Sequence, residues 1–195
     1  MNDEDILNYF RESGALLEGH FILSSGYHSS MYLQCAKIFM NPNLSEILCK
    51  NLAGKISKFV NISDIDMIVS PAMGGVIIGY EVARHLNKRS IFTERVDGVF
   101  EFRRGFQIEN GMNILIIEDV ITTGKSSLEC IDCVKNNGGN ILGVSCMIDR
   151  TQNTVIPDLD IISLSKISIP IYKPNDVPEN LNKIPPIKPG SRGLI

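Results

Sequence analysis

The 195-residue sequence lacks any uninterrupted apolar run of the ~18 residues that a membrane-spanning helix requires. It also lacks a basic excess. Its 19 Lys and Arg stand against 22 Asp and Glu, a net charge of -3 with a pI near 5.6, which excludes an extended basic surface for nucleic acid. The opening residues, Met1-Asn2-Asp3-Glu4-Asp5, carry neither the positive charge nor the apolar stretch of a secretory signal. Cys35, Cys49, Cys130, Cys133 and Cys146 are odd in number, unlike the paired framework of a small stapled domain, so no disulfide is expected. Cys130 and Cys133 have the spacing of half a metal or redox site. No second such pair and no nearby histidine completes it, which favours two small side chains one helical turn apart. Internal repeats and low-complexity tracts are absent. A cytoplasmic protein with neither nucleic-acid nor membrane partners is the expectation.

What is present is an ordinary globular composition, 44% hydrophobic and 21% charged, and a length that fits one domain over residues 1–195. A chain of this size buries roughly 70% of its unfolded surface. Asp3 to Glu12 is an amphipathic helix, Ala15 to Tyr32 reads as short strands joined by turns, and Asn41-Pro42 caps a helix running to about Phe59. Apolar runs then alternate with helical segments. Met67 to Val69 is a strand, and Gly74 to His85 a helix with Val76, Ile77, Tyr80, Val82 and Ala83 expected inside. Ser90 to Thr93 is the next strand, and Asp97-Gly98 a hairpin turn between Arg95-Val96 and Val99 to Phe102. Asn113 to Ile117 is a strand, Ser126 to Asn137 a helix stopped by Gly138-Gly139, and Ile141 to Ile148 a further strand. This succession predicts an α/β fold whose central, mostly parallel sheet is flanked by helices. The proline-rich tail from Lys173 reads as an irregular segment lying on the domain.

The stretch from Ile114 to Ser127 carries the chemistry. Ile114 to Ile117 make a buried strand, and Glu118 and Asp119 stand at its carboxyl end, where open α/β sheets bind ligands. Val120, Ile121, Thr122, Thr123, Gly124, Lys125 and Ser126 then form a hydroxyl-rich turn into a helix. The N–H groups of such a turn are a ready site for a phosphate monoester. Carboxylates would repel that phosphate unless ribose hydroxyls and a magnesium ion intervene, so the local chemistry points to a phosphorylated sugar. Taken alone, the two acids are equally well a structural turn with a helix cap. Gly124-Lys125-Ser126 is not the end of a Walker loop, because the position of its first glycine is Asp119. A second loop, Ser70-Pro71-Ala72-Met73-Gly74-Gly75, follows the Met67 strand with glycines that permit close approach to an anion. Arg95, Arg103 and Arg104 flank the hairpin, and guanidinium forks suit diphosphate oxygens; a solvated charged hairpin is the competing explanation.

The run from Ile114 to Ser127 resembles the phosphoribosyl diphosphate signature of type I phosphoribosyltransferases. The resemblance extends over nearly the whole chain to the orotate phosphoribosyltransferases, through Leu17 to Gly26 with Tyr32 and through Asp149-Arg150. It implies the type I phosphoribosyltransferase fold, with a small N-terminal hood formed by about residues 1–40 and part of the tail. It implies transfer of the phosphoribosyl group to orotate, with magnesium held through substrate and water rather than by assigned protein ligands. Glu118 and Asp119 would hold the ribose hydroxyls, Thr122 to Ser126 the 5′-phosphate, and Ala72, Met73 and Gly74 the diphosphate. Arg95 with Arg103 or Arg104 would stabilise the leaving group, placing these arginines and Asp119 in the catalytic set, and Thr122 and Arg150 would contact orotate. It further implies a homodimer with the loop arginines acting in trans. The sequence departs from many relatives in its short loop, which has arginines and no histidine. Met73 and Ser24 also stand where lysines are common. A purine acceptor, or a regulator that binds phosphoribosyl diphosphate without turnover, are the alternatives. A neutral purine gives Arg150 no carboxylate partner, and the chain leaves little room for a DNA-binding module.

Overall fold

The computed structural model describes residues 1–23, 25–151 and 160–189. Six strands, Met67–Pro71 (β3), Arg89–Val96 (β4), Val99–Phe102 (β5), Asn113–Ile121 (β6), Asn140–Asp149 (β7) and Ile161–Lys166 (β8), form one sheet in the order β5-β4-β3-β6-β7-β8. Every neighbouring pair is parallel except the β4-β5 hairpin. The apolar runs are continuous because the sheet is covered on both faces. Successive residues serve opposite cores: Ile68, Leu115 and Ile117 belong to one, and Met67, Val69, Ile114 and Ile116 to the other.

The first core is closed by helices Asp3–Glu12 (α1), Pro42–Ile56 (α2) and Gly75–Leu86 (α3), and the second by Lys125–Asn136 (α4). Their ends are written locally. Asn2 and Asp5 form a reciprocal cap on α1, and the Asn41 carboxamide oxygen accepts from the N–H groups of Asn43 and Leu44, at 3.1 and 3.3 Å, with Pro42 in the first turn of α2. Asp97 and Gly98, with φ of 48° and 90°, make the two-residue hairpin turn between β4 and β5. All five cysteines are free and buried, and Cys130 and Cys133 lie one turn apart on α4, packed into the second core.

Two expectations are corrected. In α3, Ile77 and Tyr80 are 52% and 66% exposed, while Ile78, Gly79, Val82 and Ala83 face the sheet. The stripe that packs includes glycine, because α3 approaches β3 too closely for larger residues. A Cβ on Gly79 would lie 2.0 Å from Ser70 Oγ. Helix α2 ends at Ile56 rather than near Phe59, which is 70% exposed. From Lys173 the described tail is irregular, as read, apart from one short helix and a single bridge, while the strand just before it was not foreseen. Ile171–Tyr172 (β9) pairs with His28–Leu33 (β2), which pairs with Leu16–Ile22 (β1), giving a separate antiparallel sheet in the order β1-β2-β9. A short helix, Glu179–Asn182 (α5), buries Leu181, and Ile187 bonds back to β1 through Ile187 N to His20 O and Ile22 N to Ile187 O, both 2.8 Å. The end of the tail from Gly190 lies outside the described residues.

Gly79→Ala is expected to destabilise the protein by about 1–3 kcal/mol, because overpacking against Ser70 outweighs the ~1 kcal/mol gain in helix propensity. Urea unfolding measures this; a variant as stable as the parent would show that α3 can move off β3 without cost.

Candidate active site

The strand order creates a crevice at one place. From β3 the chain crosses through α3 to β4 on one side, and from β6 it crosses through α4 to β7 on the other. The direction of winding therefore reverses between β3 and β6, and the loops leaving these two strands diverge to opposite faces, opening a cleft at their carboxyl ends. Those loops are the two glycine-containing segments singled out in the sequence. A Cβ placed on Gly74 would lie 2.8 Å from both carboxylate oxygens of Asp119, so the β3 loop and the end of β6 touch. The Ala72-Met73 peptide within the β3 loop is cis, and the Met73 side chain is 83% exposed.

Glu118 and Asp119 are partly buried at this crevice. Burial pushes the Glu118 carboxyl up to about 7, opposed by the Ser127 hydroxyl that donates to Glu118 Oε2 and assisted by the neighbouring Asp119 charge. Burial also raises Asp119, against the Val120 N–H that donates to its Oδ1 at 2.9 Å. Ser127, the last residue of the run singled out in the sequence and not among those expected to hold phosphate, is fully buried on α4 and bonds to Glu118. Its place, three residues after the αL glycine that opens the helix, is the only sequence signal that it turns back toward β6.

The strand runs on past the expected end at Ile117, so Val120 and the buried Ile121 belong to β6 rather than to the turn, and the turn beyond them is presented to solvent. Thr122, Thr123 and Lys125 are exposed and Ser126 is partly buried. Gly124, at φ 71°, redirects the chain into α4. The first-turn N–H groups of this helix, with its positive dipole end, face the same carboxyl edge of the sheet as the two acids. Among the described residues no group of three or more His, Cys, Asp or Glu is arranged to hold a metal. Two adjacent carboxylates with exposed hydroxyls fit a hard cation only when most of its oxygens come from a substrate and water.

Arg150 follows β7, beside the carboxyl end of β6. Its N–H donates to Ile121 O at 2.8 Å, tying it to the strand that carries the acids. Burial lowers the guanidinium pKa, with Cys35 and Tyr32 acting in the opposite sense. Burial raises the Cys35 thiol, helped by the Asp119 charge and opposed by Arg150. Cys35, Tyr32, Asp119 and Arg150 are therefore electrostatic neighbours, which joins residues of the N-terminal segment to both strand ends. Arg150 Nε is buried without a hydrogen-bond partner among the described residues. No sequence pattern announced Cys35.

The three hairpin arginines differ in their commitments. Arg95 pairs with Glu129 on α4, donates to Gly98 O, and lies over the Phe100 ring at 4.2 Å. Arg104 forks onto Glu94, with Nε to Oε1 at 2.8 Å and Nη2 to Oε2 at 3.0 Å, which holds the Glu94 carboxyl below its usual value. Arg103 is exposed and makes no ion pair among the described residues. Ser24, where a base-contacting lysine is common in the resembled family, lies outside the described residues.

A model of the phosphoribosyl transferase domain matches residues 37–180. The chain is 46% identical over 194 residues to the orotate phosphoribosyltransferase of Caulobacter vibrioides (strain NA1000 / CB15N), covering 100% of this chain and 99% of that one. The orotate phosphoribosyltransferase structure from Aeropyrum pernix superposes with a TM-score of 0.68 at 19% identity, over 83% of this chain and 93% of that one. The adenine phosphoribosyltransferase of Saccharomyces cerevisiae superposes with a TM-score of 0.61 at 18% identity, over 82% and 99%. The shared architecture thus accompanies more than one base, and it is the close relative that distinguishes between them.

The raised Glu118 carboxyl carries a stability consequence. The folded state holds this proton more tightly than the unfolded chain, so stability falls as pH rises from the ordinary carboxyl value of 4.5 to about 7 and stays low above it. Glu118→Gln keeps an oxygen for Ser127 and removes the buried charge. Its melting temperature is expected to exceed the parent's by several degrees at pH 8, with the gap closing near pH 4.5; a gap independent of pH would contradict the burial argument.

Proposed function

The chain belongs to the orotate phosphoribosyltransferases of the type I phosphoribosyltransferase family, and from that membership we propose how its residues divide the reaction. The enzyme transfers the phosphoribosyl group of 5-phospho-α-D-ribose 1-diphosphate to orotate, giving orotidine 5′-monophosphate and diphosphate, a step of pyrimidine biosynthesis. The bond from the anomeric carbon to the diphosphate oxygen breaks, a bond from an orotate ring nitrogen to that carbon forms, and the proton leaving that nitrogen passes to the departing diphosphate or to water. Positive charge develops on the ribose ring while negative charge collects on the departing oxygens. Catalysis is then a matter of holding the two reactants in line and meeting those charges.

In this reading Glu118 and Asp119 accept the ribose hydroxyls. The turn from Thr122 to Ser126, with the start of α4, receives the 5′-phosphate. Ala72, Met73 and Gly74 lie along the diphosphate, and Thr122 and Arg150 address the base. A fixed guanidinium with an unpartnered nitrogen suits the orotate carboxylate. It gives a neutral purine nothing in return. Magnesium, when bound to diphosphate oxygens, supplies charge neutralisation for the leaving group. The observation that carries the assignment is the contact of Gly74 with Asp119, which brings the diphosphate loop and the ribose acids into one crevice.

Arg95, Arg103 and Arg104 serve the departing diphosphate. Arg103 is the one without an ion pair among the described residues, so we assign it the direct contact and give Arg95 and Arg104 the task of shaping the hairpin. A homodimer accounts for the exposed Met73, Ile77 and Tyr80, which run along α3 and its approach as an apolar strip. In such a dimer the hairpin reaches the neighbouring crevice. Five free, buried thiols agree with a cytoplasmic location, and no helix among the described residues is long and apolar enough to cross a membrane.

Orotate absorbance should fall when the protein is mixed with phosphoribosyl diphosphate and magnesium. Asp119→Asn should cut kcat/KM by at least ~10²-fold with unchanged circular dichroism. Turnover of adenine in preference to orotate, or near-normal kinetics in that variant, would reject the assignment. Mixed dimers of Asp119→Asn and Arg103→Ala should recover roughly a quarter of the parent rate, because half the dimers are mixed and each holds one intact site. Activity no greater than that of the two variants alone would put Arg103 in its own protomer's site.

A further inference from the structure

Arg150 is a long side chain on the first residue beyond β7, a position where small backbone rotations move the guanidinium far. The structure restrains it from both sides. Asp149 is buried, and its Oδ1 accepts from Thr151 N at 2.7 Å and from Thr151 Oγ1 at 2.6 Å, so the residues before and after Arg150 are clamped to each other across it. The second oxygen, Oδ2, pairs with Lys166 Nζ at 3.2 Å, and Ile167 N donates to Asp149 O at 2.9 Å, which fastens this turn to β8. Arg150 N bonds to Ile121 O at 2.8 Å, fastening the same turn to β6. The backbone of Arg150 is thereby fixed to strands on both sides of β7, while its Nε has no partner among the described residues.

A buried carboxylate with one largely exposed lysine partner is weak support for stability, since desolvation offsets much of the attraction. Fixing direction is a better account of it. We propose that Asp149 and Thr151 are positioning residues for the base: their paired hydrogen bonds set the direction of Arg150 and so the affinity for a pyrimidine bearing a carboxylate. This rests on the assignment of Arg150 to the orotate carboxylate. The hydroxyl of Thr151 is the decisive element, because the main-chain bond forms with any residue there and only a hydroxyl adds the second. Among the described residues the side chains of Asp149 and Thr151 bond to each other and to Lys166, and not to Glu118, Asp119 or the turn from Thr122 to Ser126, so the effect falls on orotate.

Steady-state kinetics of Thr151→Val, Thr151→Ser, Lys166→Met and Arg150→Ala test this. Thr151→Val should raise the orotate KM about tenfold and leave the phosphoribosyl diphosphate KM within about twofold, and Thr151→Ser should restore the orotate KM to within about twofold. Lys166→Met, at a largely exposed side chain, should raise the orotate KM about threefold and keeps the test available if Thr151→Val does not fold. The proposal falls if Arg150→Ala raises the orotate KM while Thr151→Val and Lys166→Met do not, if both KM values rise together, or if serine fails to rescue. An Arg150→Ala variant with an unchanged orotate KM removes the assignment of Arg150 itself and the proposal with it.

Discussion

At the carboxyl end of β6 the Asp119 carboxylate lies so close to Gly74 that no methyl group fits between them. This contact is where two separately encoded loops become one site. The loop after β3 supplies backbone and the loop after β6 supplies acids, hydroxyls and a helix start. Their meeting follows from the sheet order, which places β3 and β6 side by side and sends their helices to opposite faces. Glycine at 74 is needed for proximity rather than for backbone freedom, since its φ of -58° is open to any residue. The same economy of size recurs one turn along α3, where Gly79 admits Ser70.

Around that contact the protein holds charge in opposite ways. The two acids are withdrawn from water and raised in pKa, with Ser127 and Val120 as their hydrogen-bond donors. A polyhydroxylated sugar answers such groups better than an anion does, because hydroxyls can donate to them whether they are charged or shared. The arginines lie on an exposed hairpin instead, two of them matched with acids of the same chain. Arg150 is different again: desolvated, anchored through its backbone, and left with an unpartnered nitrogen. Burial raises the worth of a correctly placed counter-charge and the cost of a misplaced one, so the residues flanking this arginine matter as much as the arginine.

The sheet and its helices were legible because their signals are local. The alternating destinations of Ile68 against Met67 and Val69 need only period two, the Asn41-Pro42 cap needs only neighbours, and Asp97-Gly98 needs only the φ values that a two-residue hairpin demands. The acidic strand end followed by the Thr-Gly turn was legible for the same reason, since strand, acids and turn are consecutive. Reading α3 by apolar bulk failed at Ile77 and Tyr80 because the packing face was chosen by close approach, which favours the small residue over the large one. The pairing of β9 with β2 and the return of Ile187 to β1 went unread, as each joins segments far apart along the chain.

Sequence by itself thus determined the fold class, the order of the central elements and the residues of the acidic turn, all properties of contiguous segments. Only the tertiary structure decided that Gly74 abuts Asp119, that Ser127 turns back onto Glu118, and that Cys35 and Tyr32 approach Arg150. It also separated Arg103 from Arg95 and Arg104, which are equivalent in composition and unlike in partners. The physical reason is one of range: periodicity and capping act over a few residues, whereas a binding site is set by which distant segments the sheet order brings within contact distance.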